Sequence, residues 1–251
     1  MIFLVGFLVG TVLGLTGSGG TVIAVPLLVA VLHMDMTGAT GMSLGIVALT
    51  ALAGILQSSC SRRHWIMALP VAAGGVTLSP MGVTLSAYFT EAQLTFGFCL
   101  IMAAAIVPML RRLDTPASFS ELPVTLSLQP RTWLSLAGGG AAVGLLSGVF
   151  GVGGGFILVP LLIRKLNIGL RQATLVSLMV ITAISSIGFG AYLIQTPSFD
   201  YESFLVILAG GVAGVSLGRK LGLRISEEVL NQLFVLIVVL LGALMLVTRS
   251  L

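Results

Sequence analysis

Long stretches without any Asp, Glu, Lys or Arg are the feature that most restricts what this chain can fold into. A helix that crosses about 30 Å of lipid needs roughly 20 apolar residues, and the sequence offers such runs repeatedly. Only 8% of its residues are charged, against about 25% in soluble domains. We therefore predict an all-α polytopic membrane protein. The uncharged stretches include residues 2–32, 66–90, 92–110, 132–163, 172–199, 203–218 and 229–248.

Charge and cysteine content argue against several other classes of protein. The net charge of +4 is interpreted as a signal of membrane orientation, because cationic loops mark the cytoplasmic side, so we predict no nucleic-acid partner. Cys60 and Cys99 are too few and too scattered for a disulfide framework or a metal site. We expect no cofactor and no bound metal. The first segment lacks the basic region of a cleavable signal peptide, so we expect it to belong to the mature fold.

The sequence contains two copies of one unit, in which Gly14 of the first copy corresponds to Gly148 of the second. Residues 14–44 and 148–178 are identical at 14 of 31 positions without a gap, which indicates a duplication. We predict a first membrane repeat at 1–112, a cytoplasmic linker at 113–130 and a second membrane repeat at 131–251. After a small shift in register the match continues at Gly74, Gly75, Gly82 and Glu91, which meet Gly210, Gly211, Gly218 and Glu227.

Each copy contains about five apolar segments, and some of those beside its glycine-rich loop are unusually short. Segments 21–33 and 156–166 cannot cross the bilayer at about 1.5 Å per residue. We therefore expect short glycine-broken or re-entrant helices that meet near the midplane. The predicted segments are 2–15, 21–33, 37–59, 65–88, 91–110, 132–149, 156–166, 171–195, 202–218 and 226–248.

All the basic residues except Arg249 lie in loops that are separated from one another by two apolar segments. All four groups then lie on one side, which the positive-inside rule identifies as the cytoplasm. The first copy starts outside and the second inside, so we predict two inverted-topology repeats in the cytoplasmic (inner) membrane, a layout typical of secondary transporters. The groups are Arg62 and Arg63; Arg111, Arg112 and Arg131; Arg164, Lys165 and Arg171; and Arg219, Lys220 and Arg224.

Two glycine loops, residues 16–21 (the first glycine loop) and 150–155 (the second), are the best candidates for a binding site. Glycine lets the backbone approach a ligand closely, and each loop leads into a helix whose first N–H groups are unpaired. This combination binds anions. The alternative is that the glycines only let helices pack. The predicted substrate-binding residues here are Gly17, Ser18, Gly19, Gly20 and Thr21, with Gly151, Gly153, Gly154 and Gly155.

Hydroxyl groups at equivalent positions after the loops extend the candidate site. Thr40 and Ser43 share one helix face, as do Thr174 and Ser177, and hydroxyls can donate to an oxyanion; the alternative is helix packing through small residues. A nucleotide site is excluded because Gly20 stands where a phosphate loop needs lysine. Carboxylates that could couple protons or sodium occur only at the ends of the predicted segments and not within them. A membrane potential that is negative inside pushes anions outward without such coupling, which favours export of an anion.

The paired segments GLTGSGGTVIAVPLL and GVFGVGGGFILVPLL, each followed by Ala-Thr-x-x-Ser-Leu, resemble the TauE/SafE sulfite-exporter family of bacterial membrane permeases. The resemblance extends over nearly the whole chain, with Thr21 replacing the last loop glycine in the first copy. It implies that a small anionic solute, namely sulfite, a sulfonate or a related sulfur-containing oxyanion, crosses the cytoplasmic membrane. The lipid bilayer is the other implied partner.

We therefore predict an exporter that works by alternating access around the paired loops, and not an enzyme. The alternatives are a symporter for another small anion or carboxylate, and a non-transport membrane partner. A cation carrier would need intramembrane ligands that are missing. A serine hydrolase built on Ser18 would need a histidine base at membrane depth, whereas His33 and His64 lie near the interfaces. The oligomeric state stays open, a homo-oligomer included.

Overall fold

The computed structural model describes residues 1–16, 20–112, 130–197 and 199–222, with isolated helical positions between 229 and 242. Every regular element in these residues is an α-helix, which confirms the predicted all-α class. Three residues of the first glycine loop, nearly all of the predicted linker and most of the last predicted segment lie outside the described residues. The helices are α1 (Ile2–Thr16), α2 (Thr21–Leu32), α3 (Met36–Leu56), α4 (Arg62–Ser86), α5 (Glu91–Arg112), α6 (Pro130–Phe150), α7 (Gly155–Leu166), α8 (Leu170–Gln195) and α9 (Tyr201–Gly222).

Five helices are long and apolar enough to cross a bilayer: α3, α4, α6, α8 and α9. Helices α1, α2 and the first part of α5 are apolar but shorter. Large apolar side chains are exposed on the outside of the bundle, among them Leu69, Leu134 and Leu205 at 60% or more of their surface. Such a surface is stable against lipid and not against water, so the fold is that of a polytopic membrane protein.

Polar side chains cap several helices at their first turn. The Gly38 N–H donates to Asp35 Oδ2 at 2.9 Å and starts α3. The Ser61 N–H donates to His64 Nδ1 at 3.0 Å in a capping box that starts α4. Asp200 accepts hydrogen bonds from Ser203 before α9, which lowers the pKa of the Asp200 carboxyl. These caps satisfy N–H groups that a helix start leaves unpaired.

The short helices α2 and α7 have the same construction. Each contains 12 residues, which span about 18 Å at 1.5 Å per residue. Each contains a proline, Pro26 or Pro160, at the sixth position. Each also ends in a left-handed residue, His33 with φ of 51° or Asn167 with φ of 50°. His33 is exposed at this helix end. The two copies therefore have the same backbone geometry at this helix end, although one has a histidine there and the other an asparagine.

Two glycine seams join helices that come from different halves of the chain. In each seam, glycines spaced one helical turn apart lie so close to the partner backbone that an added Cβ would press into a carbonyl oxygen. The contacts advance in the same direction along both helices, so the partners run parallel. The two seams are equivalent: each glycine of the first seam and its partner correspond, in the aligned copies, to a glycine and its partner in the second seam. The first seam joins Gly6, Gly10 and Gly14 of α1 to Ile207, Gly211 and Val215 of α9, and the second joins Gly140, Gly144 and Gly148 of α6 to Val71, Gly75 and Ser79 of α4.

Helices α3 and α8 occupy equivalent places in the two copies and cross at the centre of the bundle. Gly54 lies against Leu178, and the equivalent contact joins Gly188 to Leu44. Because one partner number rises while the other falls, the two helices are antiparallel. Helix α3 is the most enclosed of the candidate spans, with 78% of its most apolar window buried against 56% or less for the others. The α3–α8 pair is therefore the core against which both glycine loops are placed.

Candidate functional site

The second glycine loop is a tight, buried turn between α6 and α7. Gly151, Gly153 and Gly154 have φ of 68°, 65° and 68°, a left-handed conformation that glycine adopts at no steric cost. All residues from 151 to 155 are buried. Irregular backbone at membrane depth is tolerated only inside protein or beside a wet cavity. The break between the two helices therefore falls at the predicted glycines, because glycine makes this turn without strain.

Thr40 and Ser43 on α3 lie directly against the second glycine loop. The Ser43 hydroxyl lies 2.7 Å from the carbonyl oxygen of Gly151 and 2.8 Å from that of Thr40. It can donate its single hydrogen to either oxygen. A Cβ at Gly151 would lie 2.8 Å from the Thr40 backbone. Ser43 and Thr40 are 0% and 3% exposed. Three predicted site residues from two repeats thus form one buried cluster, which we name the Ser43 half-site.

The two glycine loops meet through Thr21 and Gly153. A Cβ at Gly153 would lie 3.2 Å from the Thr21 side chain and 2.9 Å from Val47 on α3. Thr21 is the first residue of α2 and is fully buried. Since α7 begins at Gly155, the N-termini of the two short helices approach each other inside the protein. The N-cap positions of α2 and α7 are occupied by glycines, Gly20 and Gly154, which have no side chain with which to cap the helix.

The first glycine loop follows a different backbone path from the second at its last glycine. Gly20 is right-handed with φ of −58°, whereas its equivalent Gly154 is left-handed with φ of 68°. The Gly20 N–H donates to Thr16 Oγ1 at 3.1 Å, a contact that Phe150 at the equivalent position cannot make. Thr21 replaces a glycine here. Predicted residues Gly17, Ser18 and Gly19 lie outside the described residues.

Four buried hydroxyls in the described part of the chain have no hydrogen-bond partner: those of Thr40, Ser147, Ser177 and Ser185. Such groups are rare because leaving one unpaired costs about 1–3 kcal/mol. Thr40 and Ser177 were predicted as site residues. Ser147 and Ser185 were missed, because their equivalents in the first copy are Leu13 and Ala51. Of these four residues, only Thr40 and Ser177 recur in both copies.

The hydroxyls of the two copies lie in separate places. Leu178, the neighbour of Ser177, contacts Gly54, which lies nearer than Ser43 to the C-terminal end of α3. At 1.5 Å per residue, the helix rises about 16 Å between Ser43 and Gly54. Thr174 and Ser177, which we name the Ser177 half-site, therefore lie at the other end of the α3–α8 crossing. The Ser43 hydroxyl is engaged by Gly151, and the Ser177 hydroxyl is not.

Backbone and hydroxyl groups, and no ionisable side chains, make up both half-sites. The described spans place the basic residues Arg164 and Lys165 in the last turn of α7, away from its loop. Within the described ranges, no three His, Cys, Asp or Glu side chains come together in a group that could hold a metal ion. The helix starts at Gly20 and Gly154 supply partial positive charge. Chemically, the arrangement offers hydrogen-bond donors to a negatively charged ligand.

Comparison with known proteins places the chain among transporters. The family model described as "Sulfite exporter TauE/SafE" matches residues 2–245. A "Probable membrane transporter protein" of Xylella fastidiosa (strain 9a5c) is 30% identical over 241 residues, 93% of this chain and 89% of that protein. "Probable membrane transporter protein YdhB" of Bacillus subtilis (strain 168) is 30% identical over 252 residues, 98% and 99% of the two chains. No solved structure matches the chain.

Proposed function

Because the chain belongs to the TauE/SafE sulfite exporter family, we propose that it exports a small sulfur-containing oxyanion, such as sulfite or a sulfonate, across the cytoplasmic membrane. The relatives are named membrane transporters, which fits a permease and not an enzyme. The observation that carries the proposal is the meeting of the two glycine loops at Thr21 and Gly153. There, two helix N-termini that begin at glycine N-caps approach each other inside the protein, and helix N-termini bind anions.

The unpartnered hydroxyls support the same conclusion. Thr40 and Ser177 are buried without hydrogen-bond partners, and an oxyanion would supply the acceptor that each lacks. A neutral site of this kind binds an anion without holding it permanently. A buried lysine would bind more tightly and would cost about 3 kcal/mol to insert at mid-membrane depth. Transport requires that the ligand also leave, so a neutral site suits an exporter.

Inverted repeats give this site a transport mechanism. We propose that the two copies have opposite topology, with the linker in the cytoplasm, and the antiparallel crossing of α3 and α8 supports this arrangement. The Ser43 and Ser177 half-sites then lie on opposite sides of the loops. Rocking of one copy against the other would expose one half-site at a time, as alternating access requires. We expect a half-site that is closed to solvent to have the contact seen here between Ser43 and Gly151.

Membrane potential alone should drive the export of an anion. A potential of about 100 mV, negative inside, is worth about 2.3 kcal/mol per charge, and about 1.4 kcal/mol is a tenfold change. A monoanion is thus held at a gradient of roughly fiftyfold. We expect sulfite or sulfonate flux from proteoliposomes to rise with an imposed potential and to fall when its sign is reversed. Flux that depends on a proton gradient and not on potential would instead identify a symporter.

Substitution of the two equivalent serines should separate structural from ligand-binding roles. Ser43→Ala leaves the buried Gly151 carbonyl without its donor, so we expect a stability loss of about 1–3 kcal/mol and a lower melting temperature. Ser177→Ala removes a hydroxyl that bonds to nothing in the described structure. It should leave the melting temperature unchanged or higher and raise KM about tenfold, the equivalent of one hydrogen bond. Unchanged KM in Ser177→Ala would contradict a role in binding.

A further inference from the structure

Arg219 breaks the symmetry between the two copies at one end of the bundle. It lies in the last turn of α9 and is half-buried. Its guanidinium donates to the carbonyl oxygen of Gly54, in the last turn of α3. The equivalent position in the first copy, in the register that pairs Gly82 with Gly218, is Val83. Of the two equivalent positions, only the one in the second copy therefore carries a cation.

The charge of Arg219 is stabilised in this place but not neutralised. The C-terminal end of α3 carries partial negative charge, which favours a nearby cation. No acidic side chain in the described residues pairs with Arg219, and Gly54 takes only one of the five N–H groups of the guanidinium. A half-buried arginine without a carboxylate partner keeps donors and charge available for an anion. Its planar fork matches two oxygens on one atom, as in sulfite, a sulfonate or a carboxylate.

Arg219 is also linked to the Ser177 half-site through the end of α3. Gly54, whose carbonyl it binds, lies against Leu178, the residue after Ser177. The end of α3, the end of α9 and the start of α8 therefore come together at this end of the protein. Other basic residues at this end are Arg62 and Arg63, which begin α4 just after α3, and Arg171 in the first turn of α8. A surface with one sign of charge raises the local concentration of oppositely charged solutes.

We propose that Arg219 receives the oxyanion at the basic end of the protein and passes it to the Ser177 half-site. The inference rests on the proposed function, because it assumes that an anion is transported. With the basic end in the cytoplasm, this contact collects the solute from the side from which an exporter must take it. The chemical class is a small oxyanion with two oxygens free to accept parallel hydrogen bonds.

The test compares Arg219→Gln with Lys220→Gln, which removes the same charge from the exposed neighbour. Sulfite flux into or out of proteoliposomes gives KM and Vmax at fixed potential, and melting temperature reports folding. We expect Arg219→Gln to raise KM about tenfold or more, the loss of a charge-assisted hydrogen bond. Lys220→Gln should change KM by less than about twofold, because exposed charges are screened. Equal KM values in the two variants would overturn the inference.

Arg219→Lys keeps the charge and removes the fork, so it tests the inference even if the glutamine variant fails to fold. We expect a KM between those of the wild type and Arg219→Gln. A KM equal to that of the wild type would contradict two parallel hydrogen bonds from the Arg219 guanidinium to the anion. A purely structural tie to Gly54 would lower melting temperature and leave KM unchanged. If the wild type transports neither sulfite nor sulfonate, the proposed function itself fails. If it transports them and the Arg219 variants match the wild type in KM, only the Arg219 inference fails.

Discussion

Gly144→Val is expected to prevent the protein from folding. Gly144 lies in the second seam, and a Cβ there would overlap the backbone carbonyl of Gly75 on α4. A flexible side chain could move aside, but this neighbour is main chain held in its own helix. The two helices would have to separate, and close backbone approach is what drives helix association in lipid. The cost should exceed the roughly 1–3 kcal/mol of ordinary overpacking.

Gly138→Val is the matched control for this seam substitution. It lies on the same helix, and a Cβ added there meets nothing within 4 Å. Size-exclusion chromatography of fluorescently tagged protein in detergent should show a single sharp peak for Gly138→Val. The same measurement should show aggregate or no protein for Gly144→Val. Gly10→Val, the equivalent change in the first seam, should behave like Gly144→Val. A monodisperse Gly144→Val protein would mean that the seam does not hold the halves together.

Gly153→Val should abolish transport while the protein still folds. Gly153 has φ of 65°, where an L side chain is strained by about 1–3 kcal/mol. Its neighbours are side-chain atoms of Val47 and Thr21, at 2.9 and 3.2 Å from an added Cβ. Those atoms can shift by a few tenths of an ångström, so the bundle survives. The added methyl groups, however, enter the space where the two glycine loops meet, and we expect flux to fall by about 100-fold or more.

Gly169→Val is the control for the loop substitution. Gly169 precedes α8 with extended backbone at φ of −65°, and a Cβ there meets nothing within 4 Å. Sulfite flux per folded molecule, with folded protein counted by monodisperse peak area, should match the wild type in Gly169→Val. Comparable flux in Gly153→Val would place the transport route away from the loops. That result would leave the glycines with a packing role only.

The positions of the helices and their breaks could be predicted from the sequence. Hydrophobicity, chain length and glycine are local properties, so segments 21–33 and 156–166 appear as α2 (Thr21–Leu32) and α7 (Gly155–Leu166). Small shifts occur at helix ends, where capping decides. Helix α4, for example, begins at Arg62 and not at 65, because Ser61 and His64 cap each other.

The candidate site could be predicted only in part. Duplication identified Thr40, Ser43 and Ser177, because equivalent residues mark equivalent positions. It could not identify Ser147, Ser185 or Arg219, which occur in one copy only. The difference between Gly20 and Gly154 was also hidden, since two identical glycines adopt opposite signs of φ. Glycine permits both conformations, so the surrounding contacts select between them.

Local composition and the internal duplication are enough to predict a membrane protein of two related halves, each with a glycine-broken helix pair. The folded structure is needed to see that α1 packs against α9 and α6 against α4, that Ser43 binds Gly151, and that Leu178, next to Ser177, contacts α3 at Gly54, about 16 Å along the helix from Ser43. Separation along the chain explains this difference. Apolar composition is a property of one segment, whereas these contacts join helices that lie far apart in the sequence. One apolar helix face can pack against many others, so its composition does not predict its partner.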